Sequence, residues 1–286
     1  MLMNEIKEKT GLTKKAIEYY TEKGLVVPEI LENGYRNYSR EDAEILKKTA
    51  VLRKLDLGVE EIRRILSGSS DAALQAAEVK KELTIQREQI KREILNELGK
   101  GKSYEEIRQK LSVLEQSKTI AERLLEAFPG YYGRYICLHF ANFLNEPIET
   151  ESQQNAYERI LAFLDNAPMP ELPEDLKEYV AESTKNIGVE QINGIIANNR
   201  KAVENPDAFL AENKEFLGWY LEYKQSEEYK NSPAYRLTEL MKEWNQESGY
   251  YDIFIPALKE LSSSYAEYCR KLENANEAFS EKYPEI

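Results

Sequence analysis

The chain has 286 residues, 42% of them hydrophobic, enough for two buried cores and a connection, and no apolar run approaches the ~20 residues that cross a membrane. The opening Met1-Leu2-Met3-Asn4-Glu5 lacks the basic patch and apolar run of a secretion signal, so the cytoplasm is the expected compartment and no membrane partner is expected. A net charge of -12 speaks against a nucleic-acid partner only if it is evenly spread, and it is not: residues 1–70 carry 13 Lys/Arg against 12 Asp/Glu, residues 71–128 carry 11 against 11, and residues 129–286 carry 15 against 28. A near-neutral head can hold a polyanion when its cations face one way and an arm keeps the acidic body away.

After a short helix from Met3 to Thr10 and a Gly11-Leu12-Thr13 turn, the stretch from Thr13 to Leu25 reads as a capped helix. The Thr13 side chain can accept a free backbone N–H, Gly24 can end the helix in a left-handed turn, and Lys14, Lys15 and Lys23 supply cations. Asn33-Gly34 is the dipeptide of a tight two-residue hairpin, whose central positions both need positive φ, and Arg36 and Tyr38 then alternate onto one face as a basic wing. Ser39 and Asp42 form a capping box for a helix from Arg40 to Lys54. Leu57-Gly58-Val59 breaks that helix before a short one from Glu60 to Ser67.

These seventy residues resemble the DNA-binding head of the MerR family of bacterial transcription regulators, a winged helix-turn-helix. The resemblance runs through Ala16-Ile17-Glu18-Tyr19-Tyr20, Gly24-Leu25, Gly34-Tyr35-Arg36-Asn37-Tyr38 and Leu57-Gly58-Val59-Glu60-Glu61-Ile62, in the family's order and spacing. It implies that the helix from Thr13 to Tyr20 enters a major groove, with Thr13, Lys14, Lys15 and Tyr19 touching bases or phosphates and Tyr20 packed inward. Arg36 and Tyr38 would grip the backbone from the wing, and Arg53 and Lys54 would do so from the turn, although solvated helix charge is the alternative for the latter pair. One position departs: where the family carries arginine before the paired tyrosines, this chain has Glu18, which would repel phosphate.

Ser67-Gly68-Ser69-Ser70-Asp71 reads as a polar hinge, followed by an uninterrupted helix from Asp71 to Leu98 with Ala76, Leu83 and Ile90 seven apart. Ser103 caps a further helix carrying Leu114, Ala121 and Phe128 at the same interval, with Leu111 and Leu125 beside them and Lys118 in their register. The resemblance implies an antiparallel homodimer contact here; periodicity equally permits a folded-back pair within one chain. Phe128-Pro129-Gly130 marks the next boundary, and 23 of the chain's 29 aromatics follow it in helical spacing without strand alternation. The helices expected there are Tyr131 to Asn145, Ser152 to Asn166, Pro173 to Asn186, Val189 to Glu204, Pro206 to Lys230, Pro233 to Gln246 and Tyr251 to Lys282, punctuated by Pro147 and by Ala167-Pro168-Met169-Pro170 among others.

The fold class expected is therefore mainly α: a winged helix-turn-helix over 1–70, a helical dimerisation arm over 71–128, and an all-α effector-sensing domain over 129–286. Among the aromatics crowded between Trp219 and Phe254, the candidates for an effector site are Trp219, Tyr223, Trp244, Tyr250 and Tyr251. With acidic neighbours such as Glu222, Glu239 and Asp252 they would suit a small aromatic or cationic lipophilic ligand, plain core being the alternative. Cys137 and His139 are suitable soft-metal ligands, but with Cys269 remote in sequence they do not complete a shell, so no metal is expected. No Gly-rich phosphate loop or nucleophile elbow occurs, so neither a catalytic residue nor a cofactor is expected.

The expected function is a dimeric regulator that binds a palindromic promoter in double-stranded DNA. The resemblance further implies that it distorts an overlong promoter spacer for RNA polymerase in response to an effector. The alternative is an interaction protein that keeps the winged fold and docks partners on its acidic helices.

Overall fold

The structure, a computed structural model, describes residues 1–67, 70–128, 130–167 and 170–283, and divides into two units, Met1–Ala77 and Glu78–Ile286. Gly68 and Ser69 of the expected hinge, Pro129 of the expected boundary, and Pro168 and Met169 lie outside the described residues.

In the first unit, α1 (Met3–Thr10) ends at Gly11, whose φ of 68° is the left-handed conformation that glycine adopts without a Cβ clash. Helix α2 (Lys14–Glu22) starts at Thr13, whose hydroxyl oxygen accepts the Ala16 N–H at 3.2 Å. It stops as anticipated at Gly24 (φ 67°), where the Leu25 N–H reaches back to the Tyr20 carbonyl at 2.9 Å. Strands β1 (Glu29–Ile30) and β2 (Arg36–Asn37) pair antiparallel, Glu29 opposite Asn37 and Ile30 opposite Arg36. The connection differs from the expected two-residue turn. Gly34 N–H bonds the Leu31 carbonyl at 2.8 Å and Leu31 N–H bonds the Tyr35 carbonyl at 2.9 Å, leaving Glu32, Asn33 and Gly34 as the loop. Only Gly34 (φ 79°) needs positive φ, because the Asn33 side chain accepts the Tyr35 N–H at 3.1 Å and holds the loop from outside.

Helix α3 (Arg40–Lys54) begins in the expected capping box, with Asp42 N–H to Ser39 Oγ at 2.9 Å and Ser39 N–H to Asp42 Oδ2 at 2.8 Å. Ile6, Ile17, Tyr20, Val26, Tyr38, Ala43 and Leu46 bury together as the core of α1, α2, the wing and α3. Each large side chain there contributes about 2 kcal/mol of apolar burial, so α2 is held by the face opposite to the one it exposes. Helix α4 (Val59–Leu66) buries Ile62 and Ile65 with Leu57, joined by half-buried Leu25 and Leu52.

Helix α5 (Ser70–Gly99) is 30 residues long, and α6 (Tyr104–Ala127) returns along it within the second unit. Ile94, Ile107 and Leu114 close one end of the pair with Ile90 and Leu98, and Val79 and Leu83 share the main core with Ile120 and Leu124. Lys110 binds both oxygens of Glu97, at 2.6 and 2.8 Å. The seven-residue stripe through Leu83 and Ile90 is thus used inside one chain, the folded-back option that periodicity left open.

The remaining helices are α7 (Gly130–Ala141), α8 (Glu151–Asn166), α9 (Glu174–Thr184), α10 (Val189–Glu204), α11 (Pro206–Glu212), α12 (Lys214–Gln225), α13 (Glu227–Lys230), α14 (Pro233–Glu247), α15 (Ile255–Leu261) and α16 (Ser263–Lys282), with a π-helical turn at Tyr250–Phe254. The helix expected from Pro206 to Lys230 is interrupted at Asn213 and Ser226, and the one expected from Tyr251 to Lys282 at Ser262, in no case by proline or glycine. Ser226 Oγ accepts the Tyr229 N–H at 3.1 Å, and Ser262 Oγ accepts the Tyr265 N–H at 3.1 Å. A serine cap competes with helix continuation, and tertiary packing can select between them.

At Ser262 the selection comes from Glu146, whose carboxylate accepts Ser263 N–H at 2.9 Å, Ser264 N–H at 2.8 Å, and the hydroxyls of Ser262 at 2.9 Å and Ser263 at 2.6 Å. Burial pushes the Glu146 pKa up, but the hydrogen bonds from Ser263, Ser264 and Ser262 outweigh it and hold the group at about 2. Because the folded value lies below the ordinary 4.5, the stabilisation is full above pH 4.5 and is lost as pH falls towards 2. Glu146→Gln is therefore expected to lower stability by about 2 kcal/mol at pH 7, after allowance for solvent screening at a partly exposed site. The difference between the two proteins should shrink on acidification, which urea unfolding at stepped pH would read.

Candidate nucleic-acid interface

Burial of Ile17 and Tyr20 turns the opposite side of α2 outward. Thr13 is exposed at its start; its oxygen lone pair is used in the cap, while the hydroxyl proton stays available to an acceptor such as a phosphate. Lys14 and Lys15 follow, both exposed. Lys15 makes no ion pair among the described residues, whereas Lys14 lies 3.7 Å from Glu18 one turn on. Glu18 thus draws off part of the charge that its neighbour presents. Tyr19 is 44% exposed, its ring edge-on to Tyr20 at 5.6 Å and under the Lys23 ammonium at 5.8 Å. Thr13, Lys14, Lys15 and Tyr19 therefore share one exposed helix, and Tyr20 packs inward as expected.

The wing contributes less than its alternation implied. Arg36 is half-buried with its guanidinium free of ion pairs among the described residues. Tyr38 is only 1% exposed, its ring in the head's core and its hydroxyl 3.3 Å from Thr21 Oγ1. The expectation that Tyr38 grips a DNA backbone is corrected accordingly: its ring fastens the wing to the exit end of α2, because an aromatic next to the α3 cap gains more from core burial than from solvent. In the turn after α3, Arg53 is exposed and donates Nη1 to the Leu57 carbonyl at 2.7 Å, so it stabilises the turn while other guanidinium nitrogens remain. Lys54 beside it is exposed.

One residue of this surface was not legible in the sequence. Arg63 on α4 donates through Nη2 to the Lys23 carbonyl and through Nη1 to the Gly24 carbonyl at 3.4 Å, with Nε on Glu60 at 3.2 Å. It satisfies the Lys23 and Gly24 carbonyls just past the end of α2 from forty residues away and so fixes the direction in which the chain leaves the helix. The adjacent Glu60 and Arg63 signal only a local pair.

The aromatic candidates of the second unit fall into two groups: Trp244, Tyr250 and Tyr251 are in ring contact, Trp244 with Tyr250 at 6.2 Å and Tyr250 with Tyr251 at 5.3 Å, while Trp219 and Tyr223 pair elsewhere. Trp244 and Tyr250 are buried in the main core, Trp244 edge-on to Phe128 at 5.6 Å and Tyr250 stacked on Phe254 at 5.5 Å. Trp219 and Tyr223 stack at 5.8 Å on α12, a helix with no buried residue, in a separate ring series with Phe216, Tyr220, Tyr229 and Tyr235. Tyr251 is 53% exposed. The Cys137 thiol is buried against the Ala121 carbonyl at 3.5 Å, and burial pushes its pKa up to about 12, which makes it an inert core group. His139 lies among Tyr135, Phe140, Phe143 and Tyr268, and burial, then Arg200, hold its pKa down at about 4. Among the described residues no group of three or more His, Cys, Asp or Glu is placed to hold a metal, and no helix is long and apolar enough to cross a membrane.

Comparison with known proteins meets this geometry at the head. The model of the MerR HTH family regulatory protein matches residues 1–69. The HTH-type transcriptional regulator CueR of Salmonella typhi is 36% identical over 95 residues, 33% of this chain and 69% of that protein. CueR of Vibrio cholerae serotype O1 (strain ATCC 39541) is 30% identical over 134 residues, 46% of this chain and 84% of that protein. HmrR of Rhizobium leguminosarum bv. viciae is 38% identical over 80 residues, 28% of this chain and 62% of that protein. No solved structure matches. The capped, outward-facing helix, its wing and the α4 buttress thus fall within the stretch that these regulators share, and the chain belongs to the MerR family of transcription regulators.

Proposed function

We propose that the chain acts as a homodimer that reads a palindromic promoter and distorts it in response to an effector. In this reading residues 1–70 bind DNA, 71–128 form the arm that pairs two copies, and 129–286 sense. The observation that carries it is the exposure of Lys14, Lys15 and Tyr19 on α2, and of Thr13 at its cap, while Ile17 and Tyr20 pin the helix into the core. Arg36, Arg53 and Lys54 would add phosphate contacts. A head with one surplus cation binds weakly alone, and two heads related by a twofold axis double the contacts.

Support for pairing comes from the side of α5 turned away from α6. Lys81, Ile85, Glu88, Arg92 and Leu95 recur there at spacings of three and four, with Ile85 48% and Leu95 67% exposed. Bending promoter DNA costs about 1–6 kcal/mol, which the paired contacts must offset, and an effector can tip the balance only by binding one dimer shape better. RNA polymerase would engage the distorted promoter. Of the aromatic candidates, Trp219, Tyr223 and Tyr251 are reachable by a small aromatic or cationic ligand, whereas Trp244 and Tyr250 would act as packing.

Gel shifts against a pool of random duplexes at stepped salt test this. The expected result is a symmetric site whose affinity falls steeply as salt rises. Absence of any duplex preference at low salt would sink it and favour the protein-docking alternative, which the Lys14–Glu18 pair makes reasonable.

A further inference from the structure

Lys118 breaks the apolar register of α6, and the structure gives that break a location. It is half-buried and makes no ion pair among the described residues, although Glu115 and Glu122 lie three and four positions away on the same helix. Lys118 lines a recess of about 70 Å3 between α5 and α6, together with Arg87, Gln86, Ser117 and Asn145. Two cations and three neutral polar side chains meet there, with no carboxylate in the lining. Arg87 uses Nε on the Leu83 carbonyl at 3.2 Å and Nη2 on Thr84 Oγ1 at 3.1 Å, which orients it on the recess wall.

The recess adjoins a larger cavity of about 510 Å3, sharing Ile90, Leu114 and Asn145 with it. Ile90, Ile94, Val113 and Leu114 supply the apolar part of its wall, and Asn145 and Pro147 belong to its lining from beyond α7. The charges at its far side are largely settled internally. Glu97 is held by Lys110 at 2.6 Å and Lys102 at 3.4 Å, and Glu106 accepts Ser103 Oγ at 2.7 Å. Glu93 remains as an exposed rim carboxylate. The volume falls within the roughly 300–1,000 Å3 of small-molecule sites, while the recess holds a carboxylate but no more.

We infer that the α5–α6 pair binds an amphipathic monoanion, its apolar body over Ile90, Ile94, Val113 and Leu114 and its anionic head in the recess between Lys118 and Arg87. The site is distinct from the exposed aromatics of α12. Its regulatory consequence rests on the function proposed above, because a ligand lodged on the inner side of α5 would press on the helix whose outer side is proposed to pair two copies; binding itself does not rest on that reading.

The test uses the full chain without DNA and 11-(dansylamino)undecanoate as fluorescent probe, with its methyl ester as neutral control. Saturable binding of the acid, about tenfold tighter than the ester, is expected. Lys118→Met keeps the apolar stem and should erase that preference, and Val113→Trp should fill the cavity and remove binding of both probes, thermal melting being unchanged for Lys118→Met. Equal affinity for acid and ester in the native protein, or a preference unchanged in Lys118→Met, overturns the inference, as does binding lost in Trp219→Ala and kept in Lys118→Met. Loss of operator binding in the separate gel shift would leave this result standing, so the two readings fail independently.

Discussion

Gly133→Ala should destabilise the second unit by about 3 kcal/mol, well beyond an ordinary surface change. A Cβ built on Gly133 would fall 1.4 Å from the Phe128 carbonyl oxygen and 2.5 Å from its carbon, a collision with backbone that no rotamer change relieves. Phe128 cannot move away cheaply, since its ring is buried between Tyr132 at 6.0 Å and Trp244 at 5.6 Å. Helix α7 also carries buried Arg134, whose Nη1 holds the Ile187 carbonyl at 2.7 Å, so a shift of α7 would disturb the start of α10 as well. The measurement is urea unfolding followed by emission of Trp244, the tryptophan packed against Phe128. An unchanged midpoint would mean that the α6–α7 connection yields far more readily than its packing indicates.

Glu18→Arg is the second large expectation, on function rather than stability. At present Glu18 sits 3.7 Å from Lys14 and removes charge from the face of α2 proposed to meet DNA. The substitution frees Lys14 and adds a cation of the kind the family carries there. At about 1 kcal/mol for the combined change in each head, a dimer with two heads should bind duplexes about thirtyfold more tightly at low salt. The gain should shrink as salt rises and extend to most sequences, because phosphate contacts position without selecting bases. Gel shifts of both proteins at two salt concentrations measure it, and equal affinities would show that Glu18 points away from the duplex.

The parts of this protein readable from residue order are those governed by contacts within about four residues. Thr13, Ser39 and Ser103 cap α2, α3 and α6 where their side chains can reach a free N–H, and Gly24 takes the left-handed turn where α2 must end. Lys14, Lys15 and Tyr19 lie outward and Tyr20 inward as the resemblance implied, with Ile17 buried beside Tyr20. Most of the misjudged features depend on packing or on distant partners, the hairpin loop held by Asn33 and the Ser226 cap being local exceptions. The ring of Tyr38 goes to the core rather than the surface, and alternation along two residues of strand cannot choose between them. Ser226 and Ser262 become caps where uninterrupted helices were expected, the latter because Glu146 arrives from 116 residues away. Trp219 and Trp244, both expected at one site, separate into an exposed helix and a buried core.

Local chemistry thus specified α2 and its ends before any packing was known. Tertiary structure alone decided that Arg63 would hold the chain just past that helix from α4, that α5 would spend one apolar stripe on α6, and that Lys118, an anomaly in the pattern of α6, would face a cavity. Each of these depends on which segments meet across forty or fewer intervening residues. Closing such loops is favourable only once the whole core forms, so nothing in the order of nearby residues records it.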